Sequence, residues 1–356
     1  MAPSVVLVTG VSRFLGGHLA ARLAADPAID RVLGVDTVPP AADLRSRLGR
    51  VEFVRADIRN PLIAKVVARA EVDTVVHAAL SPDPSGGGRA ALKEMNVLGT
   101  MQLLAACQKA PSVRRVVLES TTAVYGASPL DPALFDETMT PNDLPSGGYA
   151  RDASEIEGYL RGFGRRRDDV AVTVLRFASV VGPRIDTVLT RYFALPVVPT
   201  VLGYDSRLQL LHEEDALAVL ERAVAHDLPG VFNVAADGVL LLSQAIRRAG
   251  RVPLPVPEPA VGSVGRVLAA ARVVAFSPEQ LRLLDFGRVV DTTRLHDEFG
   301  FTPRWTTAQA FDDFVRGRAL TPLAGRERVA AGVALVDRGV HAAAHVLRAA
   351  LPGGRA

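Results

Sequence analysis

The chain has 356 residues, 49% hydrophobic and 22% charged, with a formal net charge of +3; that balance calls for a large buried core and excludes a disordered or collagen-like chain. Its single cysteine, Cys107, excludes an internal disulfide and a thiolate metal cluster. No apolar run nears the roughly 20 residues of a membrane-spanning helix, the arginines are interspersed with acids, and no leader signature precedes the first strand, so a cytoplasmic protein with no nucleic-acid partner is expected.

From the N-terminus, short valine-rich runs alternate with helical patterns. Strands are predicted over Val5–Thr9, Arg31–Asp36, 51–54, 74–78 and 115–119, and helices over Phe14–Ala25, 61–70 and 90–109. Cys107, in the last of these helices, reads as a small buried hydrophobe. The strands are apolar on both faces, as in a parallel sheet covered by helices on each side. Strand–helix alternation at this spacing predicts a doubly wound α/β sheet of the Rossmann type.

After residue 120 the rhythm loosens, with Pro129, Pro132, Pro141 and Pro145 marking a long loop. A helix over 149–166, a strand over 170–177, a helix over 214–225 and a strand over 231–235 follow. The proline-rich run 252–259 reads as a stiff linker. It leads to helices over 261–274 and 278–284, the second with Ser277 as N-cap and Gln280 closing a capping box. Near the end, Val329, Val333, Val336, Val340, Ala344, Leu347 and Leu351 form one helical stripe. That stripe is expected to pack on the parent domain or on the partner of a homodimer, with membrane-surface contact as the minor alternative. The expected organisation is a nucleotide-binding domain over 1–180 joined by the strand 231–235, an interleaved and mostly helical substrate lobe over 181–323, and an amphipathic helix over 324–356.

The run Thr9-Gly10-Val11-Ser12-Arg13-Phe14-Leu15-Gly16 leads from a strand through a tight turn into a helix. Free backbone N–H groups and the positive end of the helix dipole suit a pyrophosphate there. Asp36 ends the second strand 20 residues after Gly16, where an acid hydrogen-bonds a ribose hydroxyl and repels a 2′-phosphate. NAD is therefore expected in preference to NADP. No pair of histidines or acids has metal-ligand spacing, and no metal is expected.

With these motifs the chain resembles the extended short-chain dehydrogenase/reductases, the NAD-dependent epimerase/dehydratase family typified by UDP-glucose 4-epimerase, and specifically an atypical actinobacterial subgroup. The resemblance covers residues 4–315. It rests on the glycine turn, on Asp57-Ile58 (the adenine-side acid and its neighbour) and on Val75-Val76-His77-Ala78-Ala79, which in the family lies beneath the nicotinamide ribose. It rests also on Asn96-Val97-Leu98-Gly99-Thr100, Ser120-Thr121-Thr122-Ala123-Val124-Tyr125-Gly126, Leu175-Arg176-Phe177, Val181-Gly182-Pro183-Arg184, and the segment from Asp291 to Gly300 and Pro303. The resemblance implies cofactor contacts from Gly10, Ser12, Arg13, Phe14, Leu15, Gly16, Asp36, Asp57, Ile58, Ala78, Ala79, Asn96 and Tyr149. It also implies catalysis by Thr121 and Tyr149 on a hydroxylated small molecule.

Three departures qualify the resemblance. Arg13 stands where the family has a glycine close to the pyrophosphate, so its side chain must either swing outward toward the phosphates or crowd them. Ser179 and Leu208 stand where nucleotide-sugar epimerases carry a diphosphate-binding asparagine and arginine, and Arg207 is only adjacent, so UDP-sugar specificity is not supported. Above all, the family's lysine, four residues after the tyrosine, is here Ala153. The only lysines are Lys65, Lys93 and Lys109, and none replaces it. A tyrosine near its usual pKa of about 10 is a poor base at neutral pH. If the geometry is kept, Ala153 faces the nicotinamide ribose, and restoring lysine there should strengthen NAD binding. His77 and His212 read as structural, and Asp215 as a helix N-cap. Two functions fit: an NAD-dependent oxidoreductase or epimerase/dehydratase with altered acid/base machinery, or a non-catalytic NAD(H)-binding regulator or scaffold.

Overall fold

A computed structural model describes residues 3–80, 88–141, 148–258, 261, 263 and 278–322. The C-terminal helix expected over 324–356, nearly all of the helix expected over 261–274, and its neighbour's N-cap at Ser277 lie outside the described residues.

Seven parallel strands form the main sheet: β1 (Val5–Thr9), β2 (Arg31–Asp36), β3 (Glu52–Arg55), β4 (Thr74–His77), β5 (Arg115–Thr121), β6 (Ala171–Phe177) and the strand Gly230–Val234. From one edge the order is Gly230–Val234, β6, β5, β4, β1, β2, β3. The chain winds one way from β1 to β3 and the other way from β4 onward. The crevice at the C-terminal ends of β1 and β4 is thus the topological switch point, where such sheets take ligands.

Strand alternation explains the two cores. Val6, Val8, Val76 and Val117 face helix α1 (Phe14–Ala25) and the helix Glu213–Ala225. Leu7, Val75, Val116 and Leu118 face the helices Ile63–Arg69, Gly99–Lys109 and Gly148–Arg166. Cys107 is fully buried in the second core, and burial pushes its thiol up to about 12. It is an inert packing group, as expected.

A smaller lobe follows β6. Its strand Ser179–Val181 pairs with Leu210–His212, and its core gathers around Phe193, Phe311 and Phe314. The run 252–259 is not simply a linker: Val252–Val256 is a strand, parallel to Val197–Val201. Val252 N–H reaches Pro196 O at 3.3 Å, and Val256 O accepts from Leu202 N–H at 2.9 Å. Pro253 and Pro255 take the alternate positions, whose missing N–H groups face away from the partner strand, so the prolines do not break the pairing.

Two other expectations are corrected. The helix expected over 90–109 is divided into Gly88–Lys93, a π-helical turn over Glu94–Leu98 and Gly99–Lys109. Asp215 is not an N-cap: His212 caps its helix by accepting Glu214 N–H at Nδ1. Asp215 lies inside the first turn, where it accepts the backbone N–H groups of Arg304 (3.0 Å) and Trp305 (3.1 Å).

Candidate active site

The turn after β1 is shaped for close backbone approach. Gly10 has φ +75°, and a Cβ there would lie 2.4 Å from the carbonyl oxygen of Ala78. A Cβ on Gly16 would lie 2.4 Å from the carbonyl of Gly10. These two glycines let the end of β1, the end of β4 and the first turn of α1 meet without side chains between them. Helix α1 begins with no side-chain cap at Arg13. Its first backbone bond is Gly17 N–H to Arg13 O, at 2.9 Å, so the N–H groups of Phe14, Leu15 and Gly16 precede any helical bond. Phe14 and Leu15 serve this end through their backbone: Leu15 is core, and the Phe14 ring packs on His18 with centroids 4.2 Å apart.

Asp36 is pinned from below. One carboxylate oxygen accepts Ser12 N–H (3.1 Å) and the other Thr37 N–H (2.7 Å), which leaves lone pairs for a diol. The Ser12 hydroxyl donates to Val38 O at 2.5 Å. The uncapped helix end, the glycine approach and this anchored acid fit a dinucleotide's phosphates and adenosine ribose.

The structure does not bring every expected residue into the crevice. Ile58 is buried in the core against Gly99, and Asp57 is held by Arg59 through contacts of 2.6–3.1 Å, which pull its carboxyl below the usual range. Ala78 lines the turn and is buried, with Ala79 partly exposed beside it. Asn96, on the π-helical turn, is buried behind the site, its amide 3.4 Å from Asp152. Ser179 is partly buried in its strand, Leu208 is core, and Arg207 donates to Ala133 O at 3.0 Å.

Thr121 and Tyr149 do converge. Thr121 ends β5 and Tyr149 lies in the first turn of the Gly148–Arg166 helix, close enough for the Thr121 hydroxyl to act on the phenol. Two turns further along the helix, Glu157 locks it to the sheet. Its carboxylate accepts from Ser120 Oγ at 2.7 Å and from Arg176 at 2.7–3.2 Å, and Arg176 also donates to the Tyr125 hydroxyl at 2.7 Å. Tyr149 is held above the ordinary phenol range by burial first, then by the negative charges of Glu119 and Asp152; Arg13 and Thr121 pull the other way.

Ala153 does not face the cleft. It is fully buried in an apolar cluster with Val124, Tyr125, Phe135, Ala178, Ala235 and Val290. The expected opening toward a nicotinamide ribose is closed by packing. The nearby positive charge comes instead from Arg13, which reaches back over the crevice, Nη1 3.4 Å from Leu80 O, and acts on His77, Glu119 and Tyr149.

Two features were missed from the sequence. Asp152, fully buried, is gripped by Arg89 with two contacts of 2.6 Å. Glu119 sits on β5 two residues before Thr121; burial pushes its carboxyl up to about 8 against the opposing charge of Arg13. In the sequence Glu119 shows only as an acid that follows the three apolar residues Val116, Val117 and Leu118 of β5. Among the described residues no group of three or more histidines, cysteines or acids forms a metal site, and no described helix is long and apolar enough to cross a membrane. An open cavity lies away from the crevice, between Arg22, Glu214, Glu221 and Trp305, with Arg22 already paired to both glutamates.

Comparison with known proteins gives three kinds of match. The model of the NAD dependent epimerase/dehydratase family matches residues 6–235. The uncharacterized protein Rv0501 of Mycobacterium tuberculosis is 58% identical over 328 residues, 92% of this chain and 87% of that protein. Among solved structures, a UDP-glucose 4-epimerase from Thermotoga maritima with UDP-glucose superimposes with a TM-score of 0.69 at 20% identity, covering 88% of this chain and 98% of that one. A Thermus thermophilus UDP-glucose 4-epimerase in complex with NAD gives 0.68 at 22% identity, covering 88% and 99%.

Proposed function

Because the chain belongs to the NAD dependent epimerase/dehydratase family, we propose that it is an NAD-dependent enzyme of the short-chain dehydrogenase/reductase type, acting on a hydroxylated small molecule of the nucleotide-sugar kind through an acid/base site that lacks a lysine. One observation carries the reading: an uncapped helix end and an anchored Asp36 lie at one side of the switch-point crevice, and a Thr121–Tyr149 pair at the other.

In this reading the N–H groups of Phe14, Leu15 and Gly16 hold the pyrophosphate and Asp36 holds the adenosine ribose. When bound, NAD supplies the hydride acceptor. Tyr149 keeps its proton at neutral pH, because burial and two neighbouring acids hold its phenol above the ordinary range. It therefore donates a hydrogen bond to the substrate oxygen, and Thr121 fixes its direction. Arg13 offsets part of the negative potential of the acids.

A cofactor-binding regulator without turnover is the second reading, favoured by the apolar packing of Ala153 and the raised phenol. Calorimetry with NAD and NADP tests the shared premise. NAD is expected to bind more tightly than NADP, and Asp36→Ala to weaken NAD by about 1–2 kcal/mol through loss of a charged hydrogen-bond acceptor. Equal NAD affinity in the variant would remove Asp36 from the site. Retained NAD with no turnover of UDP-glucose or other sugar nucleotides would favour the regulator.

A further inference from the structure

The carboxylates around Glu119 have partners. Glu157 takes Arg176 and Ser120, Asp152 takes Arg89, and Asp36 takes two backbone N–H groups. Among the described residues, Glu119 makes no hydrogen bond or ion pair. Strand alternation puts it on the face of β5 shared with Val117 and Thr121. In register, Leu118 lies beside His77 and Glu119 pairs with Leu175. Glu119 therefore stands next to Ala78, at the level where the Gly10 turn closes on the Ala78 carbonyl. An unpartnered acid thus stands at the switch-point crevice, within electrostatic reach of Arg13 and Tyr149.

We propose that Glu119 is the proton-exchanging carboxyl of this crevice, the group that accepts the proton of a substrate hydroxyl while Tyr149 remains a hydrogen-bond donor. The inference rests on the reading that the crevice holds NAD. A carbinol oxidised here loses its C–H hydrogen with two electrons to the oxidised nicotinamide ring, and its O–H proton to the Glu119 carboxylate. The products are a carbonyl compound, a neutral reduced ring and a carboxylic acid, and the reverse reaction returns both.

The surroundings suit that role. Burial lifts the Glu119 carboxyl to about 8, so both of its forms are populated near neutrality, as proton exchange requires. Tyr149, raised out of range, stays protonated throughout. From β4 comes His77, kept neutral; from the turn after β1, the cation Arg13; from the Gly148–Arg166 helix, Tyr149 and, behind it, Asp152 paired with Arg89; from β6, the uncharged Leu175. A cationic ring against Glu119 favours its carboxylate. Binding of NAD⁺ should then expel a proton, and binding of NADH should not.

Calorimetry on the full chain at pH 8, in buffers of differing ionisation enthalpy, measures that proton. The expected release is on the order of half a proton per NAD⁺, because a carboxyl half protonated at that pH is driven to its charged form by the cation. Release should be near zero with NADH, absent in Glu119→Gln and retained in Tyr149→Phe. The same release from Glu119→Gln, or its loss in Tyr149→Phe, overturns the proposal. Absence of NAD⁺ binding would refute the cofactor reading instead. Glu119 is then judged by carboxyl NMR of ¹³C-glutamate-labelled protein without cofactor, its resonance assigned by its loss in Glu119→Asp. Titration near 8 supports the proposal, and titration near the ordinary value of about 4.3 overturns it.

Discussion

His77 lies between two hydroxyls, and their bonding determines which ring nitrogen carries the proton. Thr100 Oγ1 donates to Asn96 O at 2.5 Å, so it accepts from His77 Nε2–H at 2.8 Å. Nδ1 then accepts from Thr9 Oγ1–H at 2.7 Å. Burial, with Arg13 adding repulsion, lowers the imidazole pKa to about 4. A depressed histidine binds fewer protons folded than unfolded, so stability is lost as pH falls from the unfolded value near 6.5 toward 4. Between pH 7 and 5 this one group should cost about 2 kcal/mol. Urea unfolding at the two pH values checks it: His77→Asn should lose about 2 kcal/mol less than the wild type over that interval. Equal losses would mean that the ring is not held neutral. The structural role of His77 was legible in the sequence, from its place inside a buried strand. The role of Glu119 was not, because strand periodicity shows that a side chain is inward without showing whether an opposing group meets it.

At the scale of elements, the Gly148–Arg166 helix separates what pattern can and cannot foresee. Its span and the place of Tyr149 at its start follow from the sequence. The orientation of position 153 does not, since one helical turn beyond Tyr149 can face the cofactor or the turn over Thr122–Tyr125, and tertiary packing decides. Here Ala153 is sealed among Val124, Tyr125, Phe135 and Val290. The acids on either side of it are committed, Asp152 to Arg89 and Glu157 to Arg176. A lysine at 153 would add volume to a closed cluster and bury an ammonium without a partner. Ala153→Lys is expected to lower stability by about 3 kcal/mol or more and to leave NAD affinity no higher. Urea unfolding together with calorimetry checks both halves. Tighter NAD binding with undiminished stability would show that the cluster opens toward the cofactor. The π-helical turn at Glu94–Leu98 and the proline-bearing strand Val252–Val256 escaped prediction for a related reason. Each lies against a segment distant in sequence, Asn96 of the turn beside Asp152 in one case and the Val197–Val201 strand in the other, and such contacts are not written in local pattern.

For the molecule as a whole, the helix Glu213–Ala225 decides how the two lobes respond together. Its Val219, Leu220, Ala223 and Val224 share one core with Val6, Val8 and Val117 of the sheet. Its first turn belongs equally to the second lobe. Glu213, fully buried, accepts the N–H groups of Ile185 (2.8 Å) and Arg184 (3.1 Å), and Asp215 holds the backbone at Arg304 and Trp305. Pulling either lobe apart therefore exposes the same helix and strips buried carboxylates of their donors, which costs several kcal/mol. A single unfolding transition follows, with calorimetric and van't Hoff enthalpies in agreement. The NAD contacts proposed above all come from the sheet lobe, so NAD at 100 times its dissociation constant should stabilise the protein by about 2.7 kcal/mol and move that whole transition upward. Scanning calorimetry with and without NAD decides the matter. Two resolved transitions, with NAD shifting only one, would show that the helix fails to couple the lobes.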